Sequence, residues 1–136
     1  MYYDAFSRNV NEVIEISTAL SRRFGCSYIG SEHILLGILY KGNSIASRLL
    51  EAKGVTFNKM QDAVIKSQGV GDSGSVTEFQ LTPRTKHIIE QSGEIARSLG
   101  QTFIGTEHIL LSILSQTDSV AVKLLEEIGA EPSKLY

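Results

Sequence analysis

The chain has 136 residues, 42% hydrophobic and 21% charged, with two prolines, no tryptophan and a formal net charge of −2. That is the length of one domain with a real core. The composition is globular, and no clustered basic face offers a footprint for nucleic acid. Cys26 is the only cysteine, which excludes an internal disulfide and suggests a reducing compartment. With no adjacent cation to lower its pKa, it reads as an inert, half-buried residue. Met1–Phe6 has neither the basic nor the apolar region of a signal peptide, and the apolar runs Ile34–Leu36 and Ile109–Leu111 are too short to cross a bilayer. A cytoplasmic protein without membrane contact is expected.

In chain order, the first predicted helix carries Val10, Val13, Ile14, Leu20 and Phe24 on one stripe, with small Ser17 between them. Ser7 stands at its N-cap and Gly25 at its left-handed C-terminal position. A second helix begins at Ser31, read as its cap, with Glu32 in the first turn. Its residues Ile34, Leu35, Leu36, Ile38 and Leu39 are apolar nearly all round, so it belongs in the middle of the domain. A third helix is predicted at about Ser44–Ala52, closed by Gly54, and a fourth from about Thr56 to Lys66.

Then the pattern repeats. Gly30-Ser31-Glu32-His33-Ile34-Leu35-Leu36-Gly37-Ile38-Leu39 returns 75 positions later as Gly105-Thr106-Glu107-His108-Ile109-Leu110-Leu111-Ser112-Ile113-Leu114. The same offset carries Ser7 onto Thr82, Glu15 onto Glu90, Arg22 onto Arg97, Gly25 onto Gly100 and Gly54 onto Gly129. The chain therefore holds two copies of one unit. The fifth helix starts at Thr82-Pro83, with Ile88, Ile89, Ile95, Ala96 and Leu99 on its inner face; the sixth is capped by Thr106, and the seventh spans about Ser119–Ile128. No alternating strand appears beyond a few extended residues near Val76–Leu81, and glycine-rich Ser67–Ser75 is a flexible connection.

The expected fold is all-α: two tandem four-helix repeats packed with pseudo-two-fold symmetry. Repeat 1 covers about 6–66, a linker about 67–80, and repeat 2 about 81–136 with its last helix truncated. From that truncation the chain is expected to be a piece of a longer polypeptide that begins near its natural start at Met1. Because internal pairing already satisfies the repeats, a monomer is expected.

The doubled G-[ST]-E-H-I-L-L-x-I-L segments, the Leu81-Thr82-Pro83-Arg84 start and the Ser-[IV]-Ala…Leu-Leu-Glu third helices resemble the N-terminal domain of the Clp family of AAA+ unfoldases, in a form closer to ClpC-type proteins than to ClpA or ClpB. The resemblance implies a double four-helix domain above a hexameric ATPase ring, receiving protein substrates and adaptor proteins for a partner Clp peptidase. The chain has no G-x-x-x-x-G-K-[ST] loop, so ATP binding is not expected, and neither a cofactor nor catalysis is expected of this piece. It departs from the family at Gly25-Cys26 and Gly100-Gln101, at Ser7-Arg8, and in the loops Lys41-Gly42-Asn43 and Gln116-Thr117-Asp118.

The resemblance also implies recognition of phosphorylated arginine, whose phosphate lies beside a guanidinium. Ser7 and Thr82 supply helix starts with hydroxyls and unpaired N–H groups for the phosphate. Glu32 and Glu107 supply carboxylates for the guanidinium. Ser31 and Thr106 are accessory candidates. Arg8, beside Ser7, either adds phosphate affinity or occupies the Glu32 carboxylate and closes the pocket. A second reading needs no ligand: Glu in a first turn stabilises its helix by about 0.3–1 kcal/mol, and Ser or Thr is the default cap.

His33 and His108 each follow a Glu, but neighbours on a helix point about 100° apart, and H-E-x-x-H is absent. Packed, hydrogen-bonding histidines are expected, with no metal site; His87 is assigned to the surface. No G-x-S-x-G turn supports a serine nucleophile. Tyr2, Tyr3, Phe6, Phe79 and Leu81 either pack the seam between units or line an apolar groove for an adaptor. An alternative function is accordingly a structural or regulatory cap that touches only adaptor or ATPase ring.

Overall fold

The computed structural model describes residues 7–25, 28–68 and 80–130. Seven helices occur among them: α1 (Arg8–Arg23), α2 (Ser31–Lys41), α3 (Ile45–Ala52), α4 (Phe57–Gln68), α5 (Pro83–Ser98), α6 (Thr106–Ser115) and α7 (Val120–Ile128). The fold is all-α. Two short strands, β1 (Tyr28–Ile29) and β2 (Gln80–Leu81), pair in parallel, with Tyr28 opposite Gln80 and Ile29 opposite Leu81. The expected connection at Ser67–Ser75 lies mostly outside the described residues, as do the truncated last helix, Cys26, and the aromatic residues Tyr2, Tyr3, Phe6 and Phe79.

Local chemistry sets the helix boundaries. The Ser7 hydroxyl accepts from Val10 N–H at 3.3 Å, and Thr82 from Thr85 N–H at 3.1 Å, with Pro83 in the first helical position. Gly25 and Gly100 take φ of +75° and +73°, a region closed to most side chains, and each turns the chain sharply off its helix. The starts of α2 and α6 differ from the expected ones. Gly30 and Gly105 are the N-caps, and Ser31 and Thr106 are already helical. A glycine has no side chain with which to cap. Instead the histidine at the third helical position folds back: Gly30 N–H donates to His33 Nδ1 at 2.9 Å, and Gly105 N–H to His108 Nδ1 at 2.8 Å.

α1 packs on α2, and α5 on α6, as two equivalent hairpins. α2 and α6 run through the centre; Leu35, Leu36, Ile38, Leu110 and Ile113 are essentially sealed from solvent. Gly37 lets α1 and α2 approach closely, since a Cβ there would lie 2.8 Å from the Val13 carbonyl oxygen. The second copy has Ser112 at that place, and its hydroxyl donates to the Ile88 carbonyl at 2.7 Å. Leu99 departs from the expected stripe: it is 58% exposed, whereas its counterpart Phe24 is buried and stacks on His33 with ring centroids 6.5 Å apart.

The repeats then cross. α2 packs on α7, and α3 on α6. Ser7 N–H donates to the Ile104 carbonyl at 2.9 Å, and Thr82 N–H to Ile29 at 3.2 Å, one bond being the symmetry copy of the other. Ala121 N–H donates to Ser31 Oγ at 3.2 Å across the same seam.

Candidate functional site

This crossing decides where the candidate residues meet. Ser7 lies across a hollow of about 250 Å³ from Thr106 and Glu107 of the second repeat. Thr82 lies across a hollow of about 220 Å³ from Ser31 and Glu32 of the first. Each site is thus assembled from both repeats. Arg8 lines neither hollow; its Nε lies 3.7 Å from Glu12, on a side chain that is almost fully exposed.

Three helix starts converge on each hollow. Around Glu32 they are those of α2, α5 and α7, contributing Ser31, Thr82 and Ser119 with Val120. Around Glu107 they are those of α6, α1 and α3, contributing Thr106, Ser7 with Asn9, and Ile45. The first N–H groups of a helix lack intrahelical partners and carry partial positive charge, so the helix starts bring positive potential to both hollows. Some of these groups are already used: Ser31 Oγ takes Ala121 N–H, and Ser119 Oγ takes Val122 N–H at 3.3 Å. Pro83 has no N–H to offer.

The carboxylates are fixed by the backbone before them. Each folds back over its N-cap glycine, so closely that a Cβ at Gly30 or Gly105 would run into Glu32 or Glu107. Glu32 is only 2% exposed, while Glu107 is half-buried. A carboxylate among helix starts suits a ligand that brings both a cation and an anion: the cation meets the carboxylate, and the anion meets the N–H groups.

His33 and His108 support these helix starts. His33 Nδ1 accepts from Gly30, which leaves the proton on Nε2, buried and without a partner among the described residues. Tyr28 closes over the ring at a centroid distance of 5.6 Å. Burial lowers the His33 pKa, and the neighbouring Glu32 charge opposes this. His87 is exposed, as expected.

Sequence reasoning missed the rims. The Glu107 hollow is edged by Phe103, 57% exposed, and Ile45, 53% exposed. The Glu32 hollow is edged by Arg84 and Asp118. Arg84 Nη2 donates to Asp118 Oδ2 at 2.8 Å, and Nη1 to Gln116 Oε1 at 2.9 Å. Hydrogen bonding to Arg84 holds the Asp118 carboxyl below its usual range. The available signal was the offset itself, which sets Arg84 against Asn9 and Asp118 against Asn43.

A helical double repeat with paired polar hollows between its copies is the class of domain this fold defines. The sequence from residue 5 to residue 128 matches the model of the Clp repeat (R) N-terminal domain, and the chain belongs to that family. It corresponds to the non-catalytic N-terminal domain of Clp ATPases. It is 37% identical over 133 residues to the chloroplastic chaperone protein ClpC2 of Arabidopsis thaliana, covering 98% of this chain and 14% of that protein. The chain thus spans about a seventh of such a relative's length. The structure superposes on the N-terminal domain of ClpD from Arabidopsis thaliana with a TM-score of 0.83 at 24% identity, covering 98% of this chain and 93% of that one. It also matches the ClpV N-domain in its complex with a VipB peptide, with a TM-score of 0.75 at 18% identity over 97% of this chain and 82% of that one. No helix among the described residues is long and apolar enough to cross a membrane.

Proposed function

We propose that the chain is the substrate- and adaptor-docking domain of a ClpC-type unfoldase, and that its two hollows receive phosphoarginine on marked proteins. The observation that carries this is the pair of symmetry-related hollows, each placing one glutamate among three helix starts. Phosphoarginine joins a guanidinium to a phosphate, the charge pair such a hollow complements. Phosphate alone or arginine alone leaves half the site unpaired. The exposed Phe103 and Ile45 at one rim favour a ligand carried on a protein over a free small molecule. A relative, the ClpV N-domain, holds a peptide.

In the whole protein the domain stands above a hexameric ATPase ring that feeds a Clp peptidase in protein quality control, in the cytoplasm. Calorimetry with a phosphoarginine peptide tests the site. The wild-type chain gives binding heat, and the Glu32→Ala, Glu107→Ala double variant gives none. Equal heats from the two proteins would remove these residues from the site.

A further inference from the structure

The hollows are copies in backbone but not in rim charge. Where the Glu107 hollow carries Asn9, the Glu32 hollow carries Arg84, the only lysine or arginine among the described residues lining either one. Facing it, Asp118 stands where the first repeat has Asn43. Arg84 is bound in a fork, both terminal nitrogens on Asp118 and one shared with Gln116.

A guanidinium at the rim would be the strongest phosphate ligand available there, since it offers two parallel charge-assisted donors. In this structure those donors are occupied. An arriving anion must displace Asp118 or lie beside its charge, and the Glu107 hollow, lined by Asn9 and by no aspartate among the described residues, imposes neither condition. We propose that Asp118 is a selectivity residue of the Glu32 hollow: by holding Arg84 in a competing ion pair, it makes that hollow the weaker of the two for anionic ligands. The geometry gives the pair its own release. Both side chains are partly exposed, so an anion able to grip Arg84 at two oxygens exchanges one fork for another, whereas a singly bonding anion gains nothing. This inference rests on the reading that the hollows take an anionic group.

The test is an NMR titration at low ionic strength of the wild-type chain, Asp118→Asn, and Arg84→Gln with Asp118→Asn. The probes are free phosphoarginine and inorganic phosphate. Amide signals of Arg84 and Val120 report the Glu32 hollow, and those of Asn9 and Ile45 the Glu107 hollow. In the wild type, phosphoarginine binds more tightly at the Glu107 hollow. Asp118→Asn tightens both probes about five-fold at the Glu32 hollow alone, a change typical of freeing one charge-assisted partner. Adding Arg84→Gln abolishes the gain. Unchanged or weaker binding in Asp118→Asn overturns the proposal. If phosphoarginine binds neither wild-type hollow while Asp118→Asn still tightens inorganic phosphate, the phosphoarginine reading falls and the role of Asp118 stands. Silence from both probes in every protein overturns both.

Discussion

Replacing Gly37 by alanine isolates the close contact between α1 and α2. In the interior of an ordinary helix, Gly→Ala stabilises by about 1 kcal/mol. Here the new Cβ would lie 2.8 Å from the Val13 carbonyl oxygen, a backbone atom that cannot swing aside, and would also strike the Ser17 hydroxyl. Displacing that hydroxyl breaks its 2.7 Å bond to the Val13 carbonyl, costing about 0.5–1.5 kcal/mol. Overpacking of this kind costs about 1–3 kcal/mol. Set against the helix gain, these costs leave a net loss of about 0.5–3.5 kcal/mol, or roughly 2–12 °C in Tm for a domain of this size. Urea unfolding followed by circular dichroism measures it. Adding Ser17→Ala restores only part of the loss, because the carbonyl remains. A Gly37→Ala protein as stable as wild type, or full recovery on adding Ser17→Ala, would refute the reasoning.

Two further outcomes follow from the helix starts. Because burial lowers the His33 pKa, the unfolded chain binds more protons than the folded one between the ordinary histidine value and the folded value. Stability therefore falls as pH drops below about 6.5, with a slope of at most about 1.4 kcal/mol per pH unit from this group, and levels off below the folded pKa. Urea midpoints from neutral to mildly acidic pH show this slope in the wild type and a smaller one in His33→Gln; identical slopes would exclude His33 as the source. Gly30→Ala combined with Gly105→Ala leaves a backbone that alanine tolerates, with φ near −97° and −98°, but pushes both carboxylates from their places. Phosphoarginine affinity falls about ten-fold or more, the worth of one charge-assisted hydrogen bond, while circular dichroism shows a folded helical domain. Unchanged affinity would show that carboxylate position does not matter.

Ser7 and Thr82 were legible as caps because their own side chains do the capping, and Pro83 marks the first turn. Gly30 and Gly105 were not, because the capping atom belongs to a histidine three residues on and the glycine shows only an absence. The strands β1 and β2 are two residues each, too short for any alternation. The central placement of α2 and α6 could be read from their all-round apolar faces. The partnering of the site residues could not. A fixed offset says which residues are equivalent, but not that Ser7 meets Glu107 in place of Glu32. That is settled by the reciprocal backbone bonds at Ile29 and Ile104, which belong to packing and not to periodicity.

That exchange has a consequence for the molecule's history. Neither half, taken alone, owns a complete cleft; each contributes one wall to two. A single-repeat ancestor could have formed these clefts only as a pair of identical chains, with both chambers alike. Within one polypeptide the two chambers are free of that constraint, and they differ accordingly: Arg84 and Asp118 edge one, and Asn9 lines the other.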